Sequence, residues 1–235
     1  MTPVLHTLRL GVYQVIKRLL PLDVTHLLWV SRDTVTGLQT SDDYTVRPLD
    51  TDDLQALAAA GRFDVSEALA DDCKRDGIVA IGAFRDDRLV ATSFFAADRV
   101  AARHNRGGTE FDGIGLLLPA DTHYLFKSFV DPAHRGQHLN ARITLFALAH
   151  LGDGGPSNAI VTTTDIGNAP FLSSAARLGF KRCGLAAEWV FRGRHHFKLP
   201  APIDARTGTI VSHSRAAIRM VVERAGALNR RGQTP

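Results

Sequence analysis

The stretch Tyr124–His150, YLFKSFVDPAHRGQHLNARITLFALAH, decides the fold. Its first seven residues, Tyr124 to Val130, are aromatic and β-prone enough to read as a strand. Asp131-Pro132 then signals a turn, and His134 to Asn140 make a basic and polar corner. The residues that follow carry the three- and four-residue apolar spacing of a helix. A strand that feeds a helix start through a donor-rich loop is a ready anion site. The first-turn N–H groups have no intrahelical acceptor, and the helix dipole adds partial positive charge to them.

Outward from that unit, both flanks read as alternating elements. Upstream, Tyr44 to Arg47 is a predicted strand, and Pro48-Leu-Asp-Thr-Asp-Asp opens a helix, with Asp50 or Thr51 as cap and acids in the first turn. Helices are expected near 52–60 and 64–75. Ile78 to Phe84 and Arg88 to Ala97 form a predicted hairpin across Arg85-Asp86-Asp87. Residues 98–112 read as a loop or insertion, and Gly113 to Pro119 as a short added strand. Downstream, a strand is expected from Ala159 to Thr164. A helix capped by Asn168 with Pro170 in its first turn follows, stopped by Gly179. A last hairpin is expected from Leu185 to Phe191 and His195 to Leu199. The order predicts a mixed α/β fold with helices flanking one twisted sheet.

Three segments divide the chain. Residues 1–43 read as an N-terminal amphipathic helix (Leu5, Leu8, Val12, Val15, Ile16, Leu19 and Leu20 on one stripe), a short apolar run at Val24 to Val30, and a polar linker. Residues 44–199 form the compact domain, and 200–235 a tail with a helix-prone stretch at about 210–226. The 4–20 helix has two readings, packing on the domain or lying on an anionic membrane surface.

Composition narrows the function classes. The chain has 235 residues, 45% hydrophobic and 22% charged, which is ordinary for a globular protein. No run is long and uncharged enough to span a bilayer, and no signal peptide is evident, so the expected location is cytoplasmic, with a membrane-peripheral variant. Cys73 and Cys183 lack metal-type or redox-type spacing. His195-His196 is not a metal pair either, because neighbouring strand residues face opposite ways, so no metal is expected. The net charge of +4 suits an acidic ligand or partner. Nucleic acid ranks last as a partner, since the basic tail is short and lacks interleaved aromatics.

Two short motifs resemble the GCN5-related N-acetyltransferase superfamily, over about residues 44–199. Val130-Asp-Pro-Ala-His-Arg135-Gly136 fits that family's strand-end V-x-P-x-x-R-G. Asn168 followed by a helix ending Arg177-Leu178-Gly179-Phe180 fits its N…(K/R)-L-G-F element. The resemblance implies a mostly antiparallel twisted sheet and an acyl-CoA co-substrate, most simply acetyl-CoA. It places the pyrophosphate on the turn made by Arg135, Gly136, Gln137, His138, Leu139 and Asn140. It also implies that pantetheine inserts beside Phe129, Val130 and Asn168, with the Val130 N–H polarising the thioester carbonyl.

The sequence departs from the family in two places. His138 and Asn140 occupy the two small positions of the phosphate turn, and Ala175 stands where a tyrosine often serves as acid to the leaving thiolate. Ser173 and Ser174 are nearby but far less acidic. The proton acceptor for an attacking amine is open among Glu188 and Tyr124, ranked first, and His123, Glu110 and Asp112.

Three functional readings follow. The first is transfer of an acetyl or other acyl group from CoA to a small-molecule or peptide amine by direct attack. The second uses an acyl carrier protein as donor. The third is a non-catalytic acyl-CoA sensor or membrane-associated adaptor. The segments outside 44–199 could serve dimerisation, a lid or attachment.

Overall fold

The computed structural model describes residues 22–35, 43–75, 77–101, 104, 114–118, 121–151, 157–192, 194–198, 203–204, 217–218 and 221–224. An eight-stranded sheet organises them. In chain order its strands are β1 (Leu22–Ser31), β2 (Thr45–Pro48), β3 (Ile78–Arg85), β4 (Arg88–Ala97), β7 (Thr122–Val130), β8 (Ala159–Asp165), β9 (Lys181–Phe191) and β10 (Arg194–Lys198). They lie side by side as β10-β9-β1-β8-β7-β4-β3-β2. All pairs are antiparallel except β7 with β8. Two smaller sheets are built from β5 (Arg99–Val100), β6 (Ile114–Leu117) and β13 (Val221–Arg224), and from β11 (Ile203–Asp204) and β12 (Ala217–Ile218).

The period-two alternation of side chains creates two cores, one on each face. Leu27, Trp29, Phe94, Tyr124, Phe126 and Val161 point to one side, where they meet α1 (Thr51–Ala59) and α2 (Glu67–Arg75). Their neighbours Leu28, Val30, Phe95, Leu125 and Ile160 point to the other, against α3 (Leu139–His150) and α4 (Ala169–Arg177). Central strands are therefore buried on both faces, as β4 is from Leu89 to Ala96.

Two sequence expectations fail here. The Val24 to Val30 run, placed before the domain, is the body of β1, and it sits between β8 and β9 inside the main sheet. Trp29 and Val30 are fully buried there. The folded unit thus reaches back from Tyr44 to Leu22. The helix expected near 210–226 is not formed by the described residues of that stretch, since Ala217–Ile218 and Val221–Arg224 are strands. Val221, Val222 and Ile218 are β-branched, and their β-propensity wins over a weak helical period. The 4–20 segment lies outside the described residues. Among the described residues no helix is long and apolar enough to cross a membrane.

Candidate active site

The site begins where two parallel strands part. β7 and β8 pair from Thr122↔Ala159 to Leu125↔Thr162, and the ladder stops there although both strands continue. The Thr162 hydroxyl donates to the Leu125 carbonyl at 2.9 Å, closing the last rung with a side chain. On its other side β7 carries a bulge. Its pairing with β4 goes from Thr92↔Phe129 to Phe94↔Phe126, so two residues of β7, Lys127 and Ser128, stand against one of β4, Ser93. Lys127 sits in that bulge with φ 46°, a left-handed conformation rare for its type. The bulge bends β7, and the cleft opens beyond Leu125.

Two cavities meet in this cleft and share Ser128, Asn168 and Phe171. One, of about 460 Å³, lies against Val130, the 134–140 turn and α4. The other, of about 570 Å³, lies on the opposite side against Tyr124, Phe126, Thr163, His104 and Asp64. Ser128 stands at the junction, its hydroxyl 2.9 Å from that of Ser93.

The smaller cavity is built around the turn that follows β7. A 3₁₀ turn, Pro132–His134, is capped by the Asp131 carboxylate, which accepts from the Ala133 N–H at 3.0 Å. Arg135 and Gly136 follow, both exposed. Gly136 has φ 84°, and a Cβ placed there would meet no atom within 4 Å. Its left-handed backbone favours glycine, and the space before it is open. His138 takes the N-cap place of α3 with φ 55° and ψ 27° and makes no side-chain capping bond. The first-turn N–H groups of α3 are therefore left for an anion in the cavity. Asn140 adds a buried side-chain oxygen without a hydrogen-bond partner among the described residues.

On the far wall, Asn168 caps α4. Its side chain accepts from the Phe171 N–H at 3.3 Å and donates to the Thr164 hydroxyl at 3.1 Å. Gly179 stops the helix with φ 94°.

The structure brings together most of the residues expected from sequence. Phe129, Val130, Arg135, Gly136, His138, Leu139, Asn140 and Asn168 all line the smaller cavity. Gln137 is exposed on the same turn. Tyr124 lines the larger cavity and is 2% exposed, its hydroxyl 2.7 Å from that of Thr163. Of the two serines on α4, Ser174 lines the smaller cavity, whereas Ser173 accepts from Arg177 at 3.4 Å. Ala175 is buried in the core.

Other candidates move away from the cleft. Glu188 was expected on a strand bordering it, but β1 intervenes between β8 and β9. Glu188 pairs with Asp23 of β1 and Phe197 of β10, two strands from β8. His123 is buried with Nδ1 3.0 Å from the Ser157 hydroxyl. Glu110 and Asp112 lie outside the described residues. Among the described residues no group of three His, Cys, Asp or Glu side chains could hold a metal ion.

Sequence reasoning missed His104, Asp64 and the Thr162–Thr164 wall. Only the three consecutive threonines at the end of an apolar strand gave a signal.

No model of a known protein family and no curated protein matches the chain. Among solved structures, it is similar to a GCN5-related N-acetyltransferase from Kribbella flavida. The identity is 15% and the TM-score 0.45, covering 75% of this chain and 61% of that one. It is similar also to an acetyltransferase of the same family from Colwellia psychrerythraea, at 16% identity and TM-score 0.48, covering 77% and 61%. A functionally unknown conserved protein from Staphylococcus epidermidis aligns at 11% identity and TM-score 0.48, covering 80% and 66%. The chain thus spans less than two thirds of the length of each.

Proposed function

We propose that this chain is an acyl-CoA-dependent N-acyltransferase of the GCN5-related kind, most simply an acetyltransferase acting on an amine. The observation that carries this reading is the parting of β7 and β8 after Leu125 and Thr162. The gap leaves strand-edge backbone groups for an extended pantetheine arm. The uncapped start of α3, the open space before Gly136 and the Arg135 guanidinium at one end fit a pyrophosphate. The larger cavity at the other end fits an acyl acceptor. The thioester would lie near Val130 and Ser128, where the two cavities meet. Direct attack within a ternary complex needs no covalent enzyme intermediate.

A second reading keeps the reaction and takes the acyl group from a carrier protein. His138 and Asn140, with side chains where the family has small residues, favour it, because a carrier brings pantetheine without the adenosine diphosphate.

Calorimetry with acetyl-CoA and longer acyl-CoAs tests the proposal. Binding is expected, and Arg135→Glu is expected to weaken it about tenfold or more, the loss of one charge-assisted phosphate contact. Absence of binding by every acyl-CoA, together with transfer from an acylated carrier protein, selects the second reading. Absence of both overturns the acyltransferase assignment.

A further inference from the structure

An attacking amine must be neutral and must lose a proton as the amide forms, so the acceptor cavity needs a base. β7 brings no carboxylate to that cavity, and Glu188 lies two strands beyond its edge. His104 does line it. Its imidazole is 5% exposed, with Nε2 2.9 Å from Asp72 Oδ2 and the ring 5.2 Å from that of Phe126. Asp72 is 2% exposed and sits one turn after Leu69 on the buried side of α2, a position an apolar residue would ordinarily fill. Its other oxygen accepts from Arg75 at 2.7 Å. The Nε2–Asp72 contact is an ion pair when the ring carries a proton, so the carboxylate favours an imidazole that takes one up. A carboxylate buried at this cost is the orienting partner that a catalytic imidazole requires.

We propose that His104 is the proton acceptor for the amine in the larger cavity, with Asp72 as its positioning residue. This rests on the acyltransferase reading above and goes beyond it by assigning the base. The amine nitrogen attacks the thioester carbon and its N–H proton passes to the His104 ring. The C–S bond breaks, and the CoA thiolate leaves and takes up a proton from the imidazolium or from water, giving the amide and free CoA. The charged and titratable groups around the ring are Asp72 and Arg75 from α2, Asp64 from the α1–α2 connection, and Tyr124 and Lys127 from β7. β8 contributes only the hydroxyls of Thr162, Thr163 and Thr164.

The test follows free thiol released from acetyl-CoA by the full chain with a panel of primary amines: benzylamine, spermidine, glucosamine and an unblocked alanine peptide. His104→Gln is expected to lower kcat about a hundredfold or more, with KM for acetyl-CoA within about threefold of wild type and the acidic limb of the pH profile lost. His104→Ala is expected to regain activity when imidazole is added to the buffer. Asp72→Asn is expected to lower kcat less. Turnover retained in His104→Gln overturns this assignment alone. Loss of activity that imidazole does not restore, with acetyl-CoA binding intact, also overturns it. Loss of acetyl-CoA binding in both variants makes His104 structural. Wild-type protein that binds acetyl-CoA and turns over no amine overturns the acyltransferase reading and this one with it.

Discussion

The Lys127 ammonium lies 3.0 Å from the Asp64 carboxylate and 3.1 Å from the Asp64 carbonyl oxygen, and both residues hold left-handed φ angles, 46° and 57°. One is the bulge of β7; the other sits between α1 and α2. The pair ties the rim of the larger cavity across two elements. Because the side chains are 35% and 83% exposed, the charge pairing itself contributes less than about 1 kcal/mol. Lys127→Met is therefore expected to leave global stability nearly unchanged while raising amide exchange at residues 61–66. Unchanged exchange there would mean that the edge contact of Phe63 on Phe129, with ring centroids 5.1 Å apart, holds the connection by itself.

His138 combines a conformational cost with a place on the wall of the smaller cavity, where the proposed pyrophosphate would lie. A non-glycine residue in the left-handed region costs about 1 kcal/mol, so His138→Gly is expected to raise stability by roughly that amount. If the imidazole also donates to the bound phosphate, acetyl-CoA affinity falls in the same variant. Thermal melts and calorimetry on one preparation separate the two effects, and a variant less stable than wild type would contradict the strain argument.

Asp53 closes a capping box at the start of α1. Its carboxylate accepts from the Asp50 N–H, Asp50 accepts from the Asp53 N–H at 2.8 Å, and Arg47 bonds the same carboxylate. The Arg47 hydrogen bond holds the Asp53 carboxyl below its ordinary 3.8. A depressed carboxyl contributes stability above its unfolded value and loses it as pH falls through the folded one. Asp53→Ala is expected to cost about 0.5–1 kcal/mol at neutral pH, and the difference from wild type should vanish well below pH 3.8. Denaturant melts at both pH values check it.

Cys183 on β9 is fully buried, and burial pushes its thiol up to about 12. The thiolate is the reactive form, so iodoacetamide at pH 8 is expected to leave Cys183 unmodified in the native protein and to label it after unfolding. The same shift means that stability present below the ordinary thiol value of 9.0 declines as pH rises from there toward 12. Rapid native labelling at this position would show that β9 opens readily from the sheet.

The strand and helix order between Tyr44 and Leu199 was legible because alternation, caps and stops agree there. Asp50 and Asn168 do cap, Gly179 does stop α4, and the Arg85–Arg88 hairpin forms. The turn from Pro132 to Asn140 was legible for the same reason, since Pro132 and Gly136 fix its local geometry. What the sequence hid was long-range. Val24 to Val30 looks like any short apolar run, and nothing local says that its partners lie at 159–165 and 181–189. That hidden insertion is also why Glu188 looked close to the cleft. His104 and Asp72 were illegible for a related reason: each sits in a polar stretch, and only the fold carries them to one wall.

The position of β1 bears on the order in which this chain can fold. On synthesis it emerges before every strand it will pair with, and it must wait, with Trp29 and Val30 exposed, until β8 and then β9 follow. Contacts spanning that much sequence form slowly. The eight-stranded sheet therefore cannot be joined across β1 before β9 has been made. Until that happens, β8 presents an open edge directly beside the strand from which the cleft diverges.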